Sequence, residues 1–241
     1  MFNKQAHPII TCEHASNKLP EEWRHLFEGA GDVLETHRGW DPGAIQLAKT
    51  IADMLGVKLF VHPWSRLLVE PNRSLHHRQL FSEYTEHLSD SERNKLINSF
   101  WSPHRDRIRQ EIRSAASSGK QVIHIGVHTF TPVWKQKERD LDIGLLYDPK
   151  RKDEKQFCTI WKKELERSRP EFKIRMNRPY LGKDDGLTTG LRREFSEEEY
   201  LGIEIEVNQK YWFRSKNEWS QIADKLAESL TFLQNRDSSE S

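Results

Sequence analysis

The residues equipped for chemistry in this sequence are His14, Asp41, Asn72, Arg73, His128 and Glu206. His14 and His128 each follow a short apolar run of strand character, Asn72 and Arg73 follow another, and Glu206 lies near the end of a fourth. Asp41, just before Pro42, stands at the start of a helical pattern. In an open α/β sheet, ligands collect at the carboxyl ends of the strands, so these scattered positions predict one shared rim. Two histidines and one carboxylate with an open fourth position form a common catalytic zinc set. Zinc held that way lowers the pKa of its bound water to about 7 and polarises a carbonyl. A further carboxylate outside the ligand set then serves as general base. An arginine beside an asparagine clamps a substrate carboxylate through a bidentate pair. No compact HExxH or CxxC motif is present, so placement at strand ends, not local spacing, singles these residues out.

The elements that must position them follow from periodicity. Short apolar runs predict strands at 7–12, 57–61, 65–69, 121–127, 142–147, 173–176 and 201–207. Ala44, Leu47, Ala48, Ile51, Ala52 and Leu55 fall on one helical face, with Asp41 as expected N-cap, Pro42 at the first turn and Gly56 as stop. Further helices are expected over 89–118, restarting at Ser102-Pro103, and over 156–167 and 221–233. The alternation predicts an α/β fold, a three-layer α/β/α sandwich with a mixed, mostly parallel sheet. No linker divides the chain, so one domain is expected over residues 1–234, followed by a polar tail at 235–241.

Composition removes other classes. The 241 residues carry 38 Lys+Arg against 37 Asp+Glu, a net charge of +1, so nothing draws the whole chain to nucleic acid or an acidic membrane. No apolar run approaches the roughly 20 residues of a membrane span, and residues 1–7 lack a signal peptide's layout. Two cysteines, Cys12 and Cys158, form no disulfide framework, which favours a reducing, cytoplasmic setting. The eight tryptophans are expected to pack the core and its rim.

Six blocks in order resemble the N-formylglutamate amidohydrolase family: TCEHASNKLP (11–20), HRGWDPGA (37–44), SRLLVEPNR (65–73), GVHTFTP (126–132), NRPYLGKDDGLTT (177–189) and GIEIEVNQ (202–209). That family resembles the zinc carboxypeptidases and aspartoacylases in fold and site. The resemblance implies zinc ligation by His14 and His128, general-base and proton-donor duty for Glu206, and capture of a substrate carboxylate by Arg73 with Asn72. It also implies a second cationic contact from Arg66. The sequence departs from the carboxypeptidase pattern at Asn17, where a ligating Glu stands three residues after the first His. Asp41 is the expected replacement, with Glu13 as the alternative. Glu70 stands where the family carries Asp, and Arg192-Arg193-Glu194 where many members carry a His.

Remaining residues divide by context. Tyr180 and Asp185 lie in a Gly-rich loop able to close over the site, and Tyr180 is taken as substrate-binding. Glu204 shares strand parity with Glu206 and is expected to be structural, paired with an arginine. His124 falls inside a strand as a core histidine, while His37, His76 and His77 are expected on exposed loops. The expected activity is a zinc-dependent amidohydrolase acting on a small anionic N-acyl amino acid such as N-formylglutamate. The alternatives are a carboxypeptidase-like peptidase, a deacylase with another acyl group, or a non-catalytic anion-binding relative.

Overall fold

The two central strands sort their residues by parity. In Gln121–Phe130 the odd positions Ile123, Ile125 and Val127 are fully buried and apolar, while His124, Gly126 and His128 share the other face. In Tyr200–Asn208 the odd positions Leu201, Ile203, Ile205 and Val207 are apolar, opposite Gly202, Glu204 and Glu206. Alternate residues of a strand point to opposite faces. One face of the sheet is therefore hydrocarbon, and the other carries a buried polar ladder.

The computed structural model describes residues 5–231. Among the described residues eight strands occur in chain order: β1 (Ala6–Cys12), β2 (Lys58–Val61), β3 (Gln121–Phe130), β4 (Val133–Trp134), β5 (Lys137–Glu138), β6 (Ile143–Leu146), β7 (Ile174–Met176) and β8 (Tyr200–Asn208). Six form one sheet in the order β2-β1-β3-β8-β6-β7, with β4 and β5 a separate small hairpin. Neighbours in the large sheet are parallel except β6 against β8. The helices are α1 (Gly31–Leu34), α2 (Ala44–Leu55), α3 (Asp90–Leu96), α4 (Ser102–Ser117), α5 (Lys152–Ser168), α6 (Leu187–Glu194), α7 (Lys210–Arg214) and α8 (Lys216–Glu228). α2, α5 and α8 pack on the apolar face, and α4 and α6 cover the polar one. This is the three-layer sandwich with a mixed, mostly parallel sheet. A third apolar cluster, around Trp23, Phe27, Leu68, Leu80, Leu96 and Trp101, lies beside these layers.

Four local features differ from expectation. Residues 65–69 form a turn, not a strand: Leu68 N donates to Ser65 O, and Ser65 Oγ donates to Gly39 O. Their apolar side chains are satisfied by the Trp23–Phe27–Trp101 cluster, which needs no ladder partner. The helix expected from Pro42 begins at Ala44, with Gly43 left-handed (φ 88°) ahead of it. A Cβ at Gly43 would stand 2.7 Å from the Trp219 ring, so the turn closes only around glycine. The 89–118 helix is interrupted by a π segment, Ile97–Trp101, and α4 restarts at Ser102 as expected. α6 was not anticipated, because its LTTG start reads as loop. The closing helix expected over 221–233 is α8, which ends at Glu228 with a turn after it; residues 232–233 of that expectation, and the tail at 235–241, lie outside the described residues. Cys12 and Cys158 are free and point into the apolar core.

Candidate metal centre and its surroundings

Delaying α2 to Ala44 releases the Asp41 carboxylate from capping. Asp41 N instead donates to His14 O, and Thr129 Oγ1 to Pro42 O, fastening this turn to the ends of β1 and β3. Three donor atoms then converge: His14 Nδ1 lies 3.2 Å from Asp41 Oδ2, His128 Nδ1 lies 3.1 Å from the same oxygen, and the two nitrogens are 3.2 Å apart. All three residues are buried. Donors held tetrahedrally at about 2.0–2.1 Å from a zinc ion stand about 3.3–3.4 Å from one another, so the triangle has the size of one face of such a site.

The far side of each imidazole supports the same reading. His14 Nε2 meets Glu70 Oε1 at 2.6 Å. His128 Nε2 lies 3.2 Å from Glu13 Oε2, an oblique approach outside hydrogen-bond geometry. A carboxylate behind each ring favours a proton on Nε2 and leaves the Nδ1 lone pair facing the cluster, the usual outer support of a metal-binding histidine. The donor set therefore fits a divalent metal. Burial opposes charge on His128, but Asp41 and Glu13 outweigh it and hold its pKa well above the ordinary imidazole value in the metal-free protein. Burial likewise opposes ionisation of Asp41 and Glu70. His14, His128 and Arg66 reverse this for Asp41, and Arg66 and His14 for Glu70, so both stay well below the carboxylate range.

The other expected site residues line one cavity of about 190 Å³ together with the cluster: Arg66, Asn72, Arg73, Tyr180 and Glu206. Glu206 sits across from His128 in the β3–β8 register. Its Oε2 is buried without a hydrogen-bond partner, and burial, reinforced by Asp41 and Glu204 and opposed by His128, pushes its pKa up to about 8. Arg66 grips Glu70 through Nε (2.6 Å) and Nη2 (2.5 Å) and approaches Asp41 Oδ1 at 3.4 Å. Arg73 donates to the backbone oxygens of Asn72 and Asp185. Asn72 Oδ1 accepts from Leu187 N, so this side chain ties the 70s loop to the start of α6. Tyr180 stands at the mouth because its loop crosses β6 closely: a Cβ on Gly144 would meet Arg178 O at 1.9 Å. The Tyr180 hydroxyl receives Arg139 Nη1 at 3.2 Å.

Glu13, the alternative ligand, stands behind His128 and reaches His104 Nε2 at 3.4 Å. Asn17 points away and donates to Glu35. Glu204 accepts from Thr188, not from an arginine. His124 is a core histidine between Thr11 and Tyr200, and burial lowers its pKa to about 4. His37 is exposed yet lines the cavity. Glu70 was missed as a site residue, although its spacing of four from Arg66 was visible. Arg139 had no sequence signal.

A mixed α/β sheet with a two-histidine, one-carboxylate cluster at the carboxyl rim of its parallel strands defines a class of protein, an α/β fold built around a candidate metal centre. Within that class the chain belongs to the N-formylglutamate amidohydrolase family, whose pattern matches residues 7–213. A gene product of Agrobacterium tumefaciens has a similar structure, with a TM-score of 0.78 and 24% identity over 98% of this chain and 92% of its own. An N-formylglutamate amidohydrolase from Ralstonia eutropha is similar with a TM-score of 0.68 and 14% identity, over 97% of this chain and 95% of its own. These likenesses show a shared fold. Comparison with curated proteins by sequence finds no match.

Proposed function

We propose that the protein is a zinc-dependent amidohydrolase that cleaves the amide of a small anionic N-acyl amino acid, N-formylglutamate being the type substrate. The observation that carries this reading is the triangle of His14 Nδ1, His128 Nδ1 and Asp41 Oδ2, with Glu206 across the sheet from His128. Family membership supports the reaction type. Bound by these three residues, zinc supplies a Lewis acid that polarises the acyl carbonyl and makes a water more acidic.

The protein side chains do the rest. Glu206 takes a proton from the attacking water and gives it to the amine nitrogen as the C–N bond breaks, releasing a carboxylic acid and an amino acid. A group that must both accept and return a proton works best with a pKa near the operating pH; burial raises that of Glu206 in the metal-free protein, and a dication at the cluster would lower it towards that range. Arg73 holds the substrate carboxylate, and Asn72 fixes the backbone that presents it. Arg66, shared between Glu70 and Asp41, offers its remaining guanidinium edge to the carbonyl or the carboxylate. Tyr180 narrows the mouth and excludes water. The cavity wall carries five carboxyl side chains against two guanidiniums, so an anionic substrate fits best when a dication occupies the cluster. We read the chain as one cytoplasmic domain over residues 1–234, acting in amino-acid metabolism, with two buried thiols that suit a reducing setting.

The test is metal analysis together with Glu206→Gln. Wild type should carry close to one zinc per chain, and the variant should keep the metal while hydrolysing N-formylglutamate about a hundredfold or more slowly. Full activity in Glu206→Gln would remove it as the base. A protein that takes up no transition metal would remove the ligand set.

A further inference from the structure

The cavity at the cluster does not end at its mouth. A second cavity of about 500 Å³ shares His37, Arg66, Arg73 and Tyr180 with it. A third of about 560 Å³ lies on the other side of Tyr180 and shares Tyr180 and Trp134 with the second. The inner space suits a single small acyl amino acid, whereas the outer two are within the range that accommodates larger ligands.

The charge on these outer walls is one-sided. In the second cavity Arg38 is held by Glu83 and Arg66 by Glu70, which leaves Arg78 with Glu86 as the remaining carboxylate of that wall, while Arg73 stands at the boundary with the acid-rich inner cavity. In the third, Asp140 is taken by Lys173 with Arg175 nearby, and Arg139 and Arg178 line the same wall. Among the described residues, Arg73, Arg78, Arg139, Arg175 and Arg178 have no carboxylate within ion-pair distance. Arg139 is further fixed against aromatic rings, 5.3 Å from the Trp134 centroid and 5.2 Å from that of Tyr180, so its charge is held at the junction of the cavities. Five guanidiniums without an ion-pair partner thus line the outer walls around one opening.

We propose that this opening is a binding groove for an acidic oligopeptide, so that the substrate class extends from a single N-acyl acidic residue to one carried on a short chain of carboxylate-bearing residues. The reacting residue lies at the cluster with its carboxylate on Arg73, and further carboxylates engage Arg78 on one side of Tyr180, or Arg139, Arg175 and Arg178 on the other. The proposal rests on the amidohydrolase reading only for what happens at the inner cavity. Binding in the groove is a separate property.

Calorimetric titration of the full chain with glutamate and with α- and γ-linked triglutamate, at low and at 0.5 M salt, tests it. Triglutamate should bind at least tenfold more tightly than glutamate at low salt, and the gain should shrink at high salt. Arg78→Ala, or the pair Arg175→Ala and Arg178→Ala, should remove that gain, and whichever does so identifies the side occupied. Affinity independent of chain length, a gain that survives both variants, or equal binding of a short oligonucleotide would overturn the proposal. A protein that hydrolyses N-formylglutamate but shows no chain-length gain overturns this inference alone. One that binds triglutamate selectively but hydrolyses no N-acyl amino acid overturns the function instead.

Discussion

Asp41 Oδ2 stands 3.1 Å from His128 Nδ1, although 87 positions separate the two residues. The contact exists because α2 starts two residues later than the Asp-Pro pair predicts. A capping Asp41 would spend its oxygens on the backbone of the first turn. Here the turn is made by Gly43, and the carboxylate faces β3.

That relationship makes metal affinity depend on pH. His128 is held protonated by Asp41 and Glu13 in the metal-free protein, and it must lose that proton to ligate. Binding therefore releases a proton, and affinity should rise as pH rises. Zinc titrations at pH 6, 7 and 8, each in two buffers of different ionisation enthalpy, should show tightening with pH and a buffer-dependent heat. Heats independent of buffer would contradict it.

Removing the charge behind each histidine should loosen the metal without unfolding the protein. Glu13→Gln and Glu70→Gln preserve shape but weaken the hold on His128 and His14. Each should lower zinc affinity about 10–100-fold. The visible spectrum of the cobalt-substituted protein should shift as well, while the metal-free variants keep the native circular-dichroism spectrum at lower unfolding temperatures, because each loses a buried, charge-stabilised carboxylate. Glu70→Gln should also free Arg66, raising KM more than Glu13→Gln does.

Glu206 predicts a pH dependence of stability. Its folded pKa, about 8, lies above the ordinary carboxyl value of 4.5. The stability it contributes is therefore fully present below the unfolded pKa and is lost as pH rises towards about 8. In metal-free protein, the unfolding temperature of wild type should fall between pH 5 and 8 more steeply than that of Glu206→Gln. Parallel curves would show that Glu206 is ionised throughout.

Gly43→Ala should be costly despite adding one methyl group. The left-handed backbone alone penalises alanine by roughly 1–2 kcal/mol, and the new Cβ must also displace Trp219. Chemical denaturation should show that loss, and the variant should bind zinc more weakly because Asp41 moves with the turn. An unchanged midpoint would mean that the turn tolerates a side chain.

Much of the candidate site is legible in the sequence, for identifiable reasons. His14 and His128 lie just past or at the ends of β1 and β3, and the parity of Glu204 and Glu206 in an apolar strand marked carboxylates on one face. These are properties of a strand's period and of where parallel strands end. α6 was not legible, because the partner of its first amide, Asn72 Oδ1, comes from a loop 115 positions away. The 65–69 run reads as a strand in the sequence because burial alone does not separate a strand from a turn packed under a second apolar cluster.

By itself the sequence determined the layering, the apolar and polar faces of the central strands, and the residue types available at the rim. Only the tertiary structure decided which carboxylate joins the two histidines, which ones stand behind them, and that Arg66 is divided between Glu70 and Asp41. The physical reason is that periodicity is a local property of the backbone. A donor triangle with sides of 3.1–3.2 Å is instead set by how the ends of β1 and β3 and the turn before α2 pack together.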